Sequence, residues 1–418
     1  MEFDFTSVIS RTGSGAIAVD ALGMGGNAPS KPKEGFDAIP MWVADMNFPT
    51  APSITEEIVK RTEHPFYGYF LTDPAYAERI LHWQETRNGM NGIGAEAVGY
   101  ENGVLGGVAT ALRLFCRKNR KVLVHGPTYI GFTNVLKTCG YETVTSLLVR
   151  GADGMWRMDY DDMERKIRDE EIGAAIFCSP HNPSGRVWEA EELRRAYELF
   201  RRYDVKVVSD EIWSDLILRG HKHIPSVCVS EDAAKRTVAL YAPSKTFNLA
   251  GLIGSYHIIP DAELRKAYEK EAAVTFYNHM NVFSERALIG AYSETGMRWV
   301  DELCGVLTQN VQYALAYIRE HFPGVEVAKP QGTYLLFLDC TGWCREHAAA
   351  EEKRDGNDSG DGRLKECFEQ LLHRGWDVGV GWQDGRPFGG SCTIRMNLAL
   401  PFSRLQEAME RLCRYAFI

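Results

Sequence analysis

Short apolar runs alternate with amphipathic segments between about residues 113 and 260. This alternation is typical of strands and helices that follow one another in a mainly parallel sheet. The apolar runs read as continuous, as in residues 174–178, which indicates strands covered on both faces. Leucine, alanine and aromatic residues at helical spacing predict a helix over residues 190–203. The predicted strands span residues 121–125, 142–149, 173–178, 205–209, 236–241 and 254–259.

Longer helical patterns begin after residue 261, and a second α+β unit follows them to the end of the chain. The predicted helices span residues 262–275, 282–295 and 297–321, and the later strands span 333–338, 376–380 and 392–397. We therefore expect an α/β protein in which a large domain with a mainly parallel central sheet is joined to a smaller α+β domain. The expected parts are an N-terminal segment of residues 1–52 that joins the small domain, a large domain of residues 53–295 and a small domain of residues 296–418.

Residues 345–362 are rich in acidic residues, alanine and glycine. A solvated surface insertion in the small domain is the simplest interpretation. The aspartates of residues 355–362 also raise the possibility of a calcium loop, but the glutamate spacing that such a loop requires is absent.

Composition narrows the class of function. With 418 residues, 45% of them hydrophobic, the chain can bury a large core. No apolar stretch approaches the length of a membrane span, and the first residues lack the layout of a signal peptide, so we expect a soluble cytoplasmic protein with no membrane partner. The closest cysteines, Cys340 and Cys344, have no matching Cys/His pair downstream, which argues against a metal site. A net charge of −9 gives no basic stripe for nucleic acid, so small-molecule chemistry is favoured.

Four side chains of chemical interest follow predicted strands. Tyr129, Asn182 and Asp210 each come shortly after a different predicted strand, and Lys245 comes shortly after a fourth. A lysine in that position is, taken alone, usually a solvated strand end. However, the carboxyl ends of parallel strands meet at one edge of a sheet, where ligands bind. We therefore expect the four groups to converge.

Each of these groups suits one part of pyridoxal 5′-phosphate. Lys245 can carry the cofactor as a Schiff base, and Asp210 can keep the pyridine nitrogen protonated, so that the ring accepts electrons from a substrate carbanion. Asn182 can donate its amide to the phenolic oxygen. Tyr129 offers a flat face that can stack on the ring.

The phosphate group needs several donors that point to one place. Residues 101–107 predict a turn that opens a helix continuing to Phe115, and the free amides of Gly103, Val104 and Leu105 at such a helix start form an anion site. A simple turn would also explain these glycines. Arg395, on a predicted strand, suits the carboxylate of an amino acid, although a surface arginine or a structural ion pair is an equally simple interpretation.

Together these residues resemble fold-type I pyridoxal-phosphate enzymes of the class I/II aminotransferase superfamily. Within it, the chain is most similar to the MalY/PatB-type cystathionine β-lyases. The likeness extends over nearly the whole chain. Its motifs are Pro-Met-Trp-Val-Ala-Asp-Met-Asn-Phe at 40–48, Thr-Ala-Pro at 50–52, Phe-Tyr-Gly-Tyr at 66–69, Ala-Pro-Ser-Lys-Thr-Phe-Asn-Leu-Ala-Gly at 242–251 and Pro-Gln-Gly-Thr-Tyr at 330–334.

The resemblance implies a homodimer with shared active sites, in which Tyr69 reaches the cofactor phosphate of the partner subunit and Ser244 lies beside the phosphate. It implies α,β-elimination from cystathionine or a related cysteine S-conjugate, which gives a thiol, pyruvate and ammonia. Lys245, once displaced by the substrate amine, would remove the Cα proton. The substrate would lie against Arg395, Val43, Ala44 and Asn182.

Three departures from the family pattern fall where we expect the wall of the pocket that faces the substrate. Trp213 replaces the histidine that follows the cofactor aspartate in much of this group, and an indole cannot accept a proton. Asn47 replaces an aspartate. The glycine-rich residues 379–390, which include Trp382 and Arg386, match the family poorly. We therefore expect a wall around Trp213, Asn47 and Trp382 that differs from that of the relatives.

Other interpretations stay open at this stage. His221 and His223 could suggest a metal, but the stretch 223–225 recurs in the family as a loop element. An aminotransferase shares the carbanion with a lyase, and a few pocket contacts decide between the two reactions. A regulatory protein that keeps the cofactor and binds a protein partner is a third possibility, although no DNA-binding helix-turn-helix precedes Met41.

Overall fold

The computed structural model describes residues 1–355 and 361–418. Seven strands form its central sheet in the order β1-β7-β6-β5-β4-β2-β3, and all are parallel except β7, which runs antiparallel to both of its neighbours. The strands are Val98–Glu101 (β1), Lys121–Gly126 (β2), Glu142–Leu147 (β3), Ala174–Cys178 (β4), Lys206–Asp210 (β5), Thr237–Tyr241 (β6) and Ser255–Ile258 (β7). The six strands predicted in this region are confirmed, with end shifts of a few residues. β1 was not predicted.

Alternate residues of the central strands pack on opposite faces of the sheet. Ile176 and Val208 belong to an apolar cluster on one face, whereas Phe177 and Val207 belong to a cluster on the other. All five residues of β4 are buried. Coverage on both faces explains why these strands are continuously apolar in sequence.

The helices lie between and around the strands. The predicted helix at 190–203 spans Ala190–Arg202, where Glu189 and Glu192 form a capping box. The predicted helices at 282–295 and 297–321 are Val282–Ala291 and Glu294–His321, and the second crosses the predicted domain boundary at residue 295. The other α-helices are Ile17–Asp20, Pro52–Thr62, Ala75–Asn88, Val104–Phe115, Ile130–Thr138, Tyr160–Asp169, Glu231–Arg236, Pro243–Thr246, Ala262–Ala273, Thr341–Asp355, Asp361–Asp377 and Phe402–Tyr415. Short 3-10 turns cover Ala95–Ala97, Ser226–Cys228, Ala250–Leu252 and Arg386–Phe388.

A second, antiparallel sheet forms near the C-terminal end of the chain. Its strands are Glu326–Val327 (β8), Leu335–Asp339 (β9), Gln383–Asp384 (β10) and Thr393–Asn397 (β11), in the order β8-β9-β11-β10. β9 and β11 confirm two predicted strands. Two-residue strands also pair Ile39–Pro40 with Val380–Gly381 and Val149–Arg150 with Trp156–Arg157. The first of these pairs joins the N-terminal segment to the C-terminal part.

One prediction for the C-terminal part is wrong. The predicted strand at 376–380 is mostly helix and turn, because the helix Asp361–Asp377 continues into it and only Val380 takes part in a strand. The first part of the predicted surface insertion at 345–362 is helical, since Thr341–Asp355 covers it, and the insertion itself stays a prediction. The centre of the aspartate-rich stretch considered for calcium, residues 356–360, lies outside the described residues. Among the described helices, none has both the length and the apolar composition to cross a bilayer.

Candidate active site

A cavity of about 280 Å³ lies at the carboxyl ends of β4, β5 and β6. It brings together nine of the residues predicted from the sequence. They are Ala44, Gly103, Val104, Leu105, Tyr129, Asn182, Asp210, Ser244 and Lys245. Cys178, Ile212, Trp213, Ala242 and Ile253 complete much of its wall. The strand ends therefore converge as their sequence positions predicted.

Lys245 is half-buried and lies on the short helix Pro243–Thr246, directly after β6. Its Nζ donates to the carbonyl oxygen of Ala44 at 2.8 Å and lies 5.8 Å from the ring centre of Trp213. Burial and the positive charge of Arg395 lower the pKa of Lys245 to about 8. A lysine with such a pKa is a neutral amine for much of the time in mildly alkaline solution, and can then accept a proton.

Asp210 is the last residue of β5 and is 4% exposed. Its Oδ1 accepts a hydrogen bond from the backbone N–H of Ile212 at 3.1 Å. Burial raises the pKa of Asp210 to about 7, and the positive charge of Lys245 reduces that shift. A buried carboxyl group of this kind would gain strongly from a protonated ring nitrogen as its partner.

A buried network that was not predicted surrounds Glu211, the residue after Asp210. Glu211 accepts hydrogen bonds from Tyr241 at 2.8 Å and from the backbone N–H of Ser226 at 2.9 Å, and it pairs with Nε2 of His223 at 2.7 Å. Burial raises the pKa of Glu211, but the bonds to His223 and the other donors outweigh it and hold the pKa below its usual value. His223 thus has a carboxylate partner. The signal for this network in the sequence was Glu211, an acidic residue within a buried stretch of the chain.

Tyr129 stands at the start of the helix Ile130–Thr138 and is held edge-on by Phe132, with ring centres 5.3 Å apart. Gly131 leaves room for this ring, because a Cβ there would approach it to 2.3 Å. Asn182 is 3% exposed, and its Oδ1 accepts a hydrogen bond from Arg395 at 3.2 Å. The amide nitrogen of Asn182 is then the donor that it can offer to a ligand.

The predicted anion site is the start of the helix Val104–Phe115. Gly103 has a φ of +88°, a region that favours glycine, and its carbonyl accepts the first helical hydrogen bond from Gly106 at 3.0 Å. The N–H groups of Val104 and Leu105 precede that bond and lie at the cavity. The turn before Gly103 is anchored by Glu101, whose Oε1 lies 2.7 Å from both His257 Nδ1 and the Tyr268 hydroxyl.

Arg395 lies on β11 and is 4% exposed, so the interpretation as a surface arginine is wrong. Besides Asn182, its guanidinium donates to the carbonyl of Trp42 at 3.0 Å and to Oε1 of Gln383. No carboxylate pairs with it among the described residues, and its Nε is buried without a hydrogen-bond partner there. Burial lowers its pKa to about 10. Phe388 covers the guanidinium at 4.6 Å, and neither Gln383 nor Phe388 was predicted.

The segment 41–48 passes between the cavity and the small sheet. Ala44 lines the cavity, whereas Val43 does not and instead has its carbonyl bound by Asn397 at 2.7 Å. Asn47 contacts Arg11 at 3.2 Å and the Pro40 carbonyl at 3.2 Å, and it lines a different cavity. The prediction that Asn47 lies in the wall of the site is therefore wrong, because its side chain is turned toward the N-terminal segment.

Only one of the two tryptophans predicted for the wall is there. Trp213 lines the cavity and packs edge-on against Tyr334, with ring centres 4.8 Å apart. Trp382 is buried in the small domain, where its Nε1 donates to the Leu372 carbonyl at 3.1 Å. Arg386, from the same glycine-rich stretch, pairs with Asp384 and Glu369 instead of reaching the cavity.

Tyr69 is fully exposed and lies outside the cavity. It lines a separate groove with Tyr67, Phe70 and Phe283. Phe66 and Leu71 beside it are also exposed. A single chain therefore does not bring Tyr69 to Lys245.

Comparison with known proteins places this geometry in context. The family described as "Aminotransferase class I and II" matches residues 39–412. Cystathionine beta-lyase PatB of Bacillus subtilis (strain 168) is 33% identical over 376 residues, which cover 90% of this chain and 92% of PatB. Protein MalY of Escherichia coli (strain K12) is 29% identical over 416 residues, with 98% of each chain covered.

Solved structures agree with the sequence matches. Cystalysin from Treponema denticola, whose crystal structure contains a pyridoxal 5′-phosphate cofactor, is 28% identical to this chain and superposes with a TM-score of 0.85. The match covers 99% of this chain and 98% of cystalysin. The likeness therefore includes both the central sheet and the small domain.

Proposed function

The chain belongs to the aminotransferase class I and II family, and on that premise we propose that it is a pyridoxal-phosphate C–S β-lyase. Its substrates would be cystathionine or related S-substituted L-cysteines, and its products a thiol, pyruvate and ammonia. The observation that carries the proposal is the single cavity that unites Lys245, Asp210, Asn182 and Tyr129 beside Arg395. The names of PatB and cystalysin support both the cofactor and the class of reaction.

The donor set of the cavity fits the cofactor. Lys245 supplies an amine for the Schiff base, and Asp210 a buried carboxyl group for the ring nitrogen. The N–H groups at the start of the helix Val104–Phe115 would bind the phosphate together with Ser244. Asn182 would donate to the phenolic oxygen. Each polar part of the cofactor thus has one partner of suitable chemistry.

Different residues of the chain carry out different parts of the proposed reaction. When bound, pyridoxal phosphate supplies a sink for the electron pair left at Cα. The amine of Lys245 takes the Cα proton, and its lowered pKa leaves it free to do so. The guanidinium of Arg395, with its unpartnered Nε, binds the substrate carboxylate and orients the Cα–H bond. The electron pair at Cα forms a double bond to Cβ as the bond from Cβ to sulfur breaks, and sulfur leaves with the electrons of that bond. Water then hydrolyses the released aminoacrylate to pyruvate and ammonia.

The apolar wall suits a substrate with a thioether side chain. Trp213, Ile212 and Ile253 line the cavity and carry no acidic group. A thiolate is a good leaving group that needs less help from a proton donor than an alkoxide would. Val43 and Ala44 would bound the substrate from the other side, Ala44 directly and Val43 through its backbone.

We further propose a homodimer that shares its active sites. Tyr69, Phe66 and Leu71 are exposed aromatic and aliphatic side chains close together in sequence, which is typical of a surface that a partner covers. Tyr69 would reach the cofactor phosphate of the other subunit. We also propose domain boundaries near residues 52 and 295. We propose a cytoplasmic location for the protein.

An aminotransferase is the second candidate, and the family name favours it. Both activities need the same proton removal by Lys245 and the same carboxylate binding by Arg395. They differ only in whether the proton is returned to the cofactor or the β-substituent leaves. The charged side chains of the described cavity wall, Lys245 and Asp210, would serve both reactions and so do not separate them.

A substrate panel separates the two candidates. Purified holoenzyme is incubated with cystathionine, other cysteine thioethers and, as matched controls, alanine and methionine, which lack a leaving group at Cβ. A lyase releases pyruvate and thiol from the thioethers alone and needs no keto acid. Keto-acid exchange with alanine or methionine, without release of thiol from any thioether, would contradict the lyase and support the aminotransferase.

A further inference from the structure

The backbone of residues 43–46, here called the cavity strip, faces the reactive lysine with one carbonyl group. Lys245 Nζ donates to the Ala44 carbonyl at 2.8 Å. This carbonyl is the only protein acceptor within hydrogen-bond distance of that amine among the described residues. What holds the strip in place therefore decides where the amine of Lys245 points.

One end of the strip is held by the loop that carries Lys245 itself. Asn248, three residues further along, accepts a hydrogen bond from the N–H of Met46 at 3.0 Å and donates to the Met46 carbonyl at 2.9 Å. Its φ of +59° lies in the left-handed region, which costs asparagine less than most residues. The two bonds use both ends of the carboxamide, so they set the distance and the rotation of the strip relative to the lysine loop.

The strand that carries Arg395 holds the middle of the strip. Asn397 Nδ2 donates to the Val43 carbonyl at 2.7 Å and also to the Asp45 carbonyl, while its Oδ1 accepts from the N–H of Ala399 at 2.8 Å. The carbonyls on both sides of Ala44 thus point to one amide group. The Ala44 carbonyl between them is turned to the lysine instead.

We propose that Asn248 and Asn397 are positioning residues that aim the Ala44 carbonyl at the Lys245 amine. The proposal rests on the assignment of Lys245 as the lysine that holds the cofactor. A fixed acceptor would then orient the amine whenever it is not bonded to the cofactor. It takes one N–H and leaves the lone pair of the neutral amine directed away from the strip.

The carbonyl also stabilises the protonated amine, because an ammonium donates a stronger hydrogen bond than a neutral amine. It acts together with the charges around Lys245. Burial and Arg395 favour the neutral amine, whereas Asp45 and Asp210 favour the ammonium. The face of Trp213 lies on a further side and also favours a cation. Loss of the carbonyl should therefore make Lys245 less basic.

The test measures the basicity of Lys245 in apoprotein. Reductive methylation of Lys245 is followed by mass spectrometry as a function of pH in wild type and in Asn248→Gly, which tolerates the left-handed backbone but loses both bonds to Met46. The matched control is Glu171→Gly, an exposed residue at φ +51° remote from the cavity. At pH 7 we expect Asn248→Gly to be methylated roughly three to ten times faster at Lys245 than wild type, and Glu171→Gly to match wild type.

A second variant guards against a folding defect. Asn397→Ser removes the amide that binds Val43 and Asp45 without adding charge, and it should shift the methylation profile in the same direction. If the folded variants melt at lower temperature but keep the wild-type profile, the asparagines are merely structural and the proposal is overturned. Should Asn248→Gly not fold, an unchanged profile in Asn397→Ser overturns it equally. Absence of thiol release by wild type would contradict the lyase function but leave this test intact.

Discussion

The two sides of the cavity are built in different ways. On the cofactor side, Tyr129, Asn182, Asp210 and Lys245 follow strands of one parallel sheet, so the topology of the sheet alone brings them together. On the substrate side, Arg395 comes from the antiparallel sheet and the cavity strip from the N-terminal segment. The first side depends on local chain order, and the second depends on how separate parts dock.

Both sides of the cavity contain buried polar atoms without hydrogen-bond partners among the described residues. Near the cofactor side, Glu211 and Glu101 are buried and each is paired with a histidine and a tyrosine, but Nδ1 of His223 has no partner there. On the substrate side, Arg395 Nε and the Tyr334 hydroxyl are buried without hydrogen-bond partners among the described residues. An unpaired buried polar group is costly, and a substrate carboxylate bound at Arg395 would give its Nε a partner.

Substitution of the lysine should have the largest effect. Lys245→Ala removes the amine that bonds the cofactor and takes the proton, so activity should fall by about a thousandfold or more. The purified variant should also lack the visible absorption band of the Schiff base. Lys235→Ala, an exposed lysine on Glu231–Arg236, is the control and should keep both. An unchanged absorption band in Lys245→Ala would refute the assignment of the cofactor side.

Asp210→Asn should follow, with a loss of about a hundredfold or more in kcat because a neutral amide cannot hold the ring nitrogen protonated. The apoprotein should show the opposite effect on stability. Because burial raises the pKa of Asp210 from 3.8 to about 7, wild type loses up to about 4 kcal/mol as pH rises through that window. Above pH 7 the variant should therefore melt at higher temperature than wild type, and below pH 4 the two should agree. Equal melting curves at pH 8 would contradict a buried, costly carboxylate.

Arg395→Lys tests the substrate side while it keeps the charge. Loss of the planar fork should raise KM for a thioether substrate by roughly thirtyfold to a hundredfold, equivalent to about 2 to 3 kcal/mol, with less effect on cofactor retention. Steady-state kinetics and the absorption spectrum measure the two effects separately. Arg404→Lys, whose partner Asp37 is exposed, should stay near wild type. A fall in kcat with unchanged KM would show that Arg395 does not bind the carboxylate.

Trp213→Phe also tests the substrate side, with a smaller expected effect. The phenyl ring keeps an aromatic face toward Lys245 but is smaller, so we expect a change of about two- to fivefold in the ratio of pyruvate release to keto-acid exchange. Trp382→Phe is the informative control, because Trp382 lies in the core of the small domain. It should lower the melting temperature and leave the ratio unchanged. A changed ratio in Trp382→Phe together with an unchanged ratio in Trp213→Phe would show that Trp382 lines the site.

Tyr69→Phe should change cofactor binding and leave the choice of reaction unchanged, and it tests whether the cofactor side is complete in one chain. Removal of one hydroxyl donor to the phosphate should weaken cofactor binding about threefold to tenfold. The effect should appear only at protein concentrations where sedimentation shows a dimer. Tyr67→Phe, a half-exposed neighbour, is the control. Equal cofactor binding by monomer and dimer would contradict the shared site.

Much of the site could be predicted because its chemistry sits at strand ends. Lys245, Asp210 and Asn182 each follow an apolar run, and such runs can be recognised without any knowledge of tertiary contacts. The Glu211 pair with His223 was missed because its two members are twelve residues apart and neither has an unusual local pattern. Trp382 was misplaced because an indole in a glycine-rich stretch gives no sign of which side of a sheet it covers.

The amino-acid sequence by itself therefore determined the α/β class, the order of the strands along the chain and the cofactor side around Lys245. These follow from the period of the apolar residues and from the rule that parallel strand ends share an edge. Only the tertiary structure decided that Arg395 is buried without a carboxylate partner, that Asn47 turns away from the cavity and that the Ala44 carbonyl meets the Lys245 amine. The contacts of Arg395 and Lys245 join residues up to 353 positions apart, and no local pattern encodes the docking that brings them together.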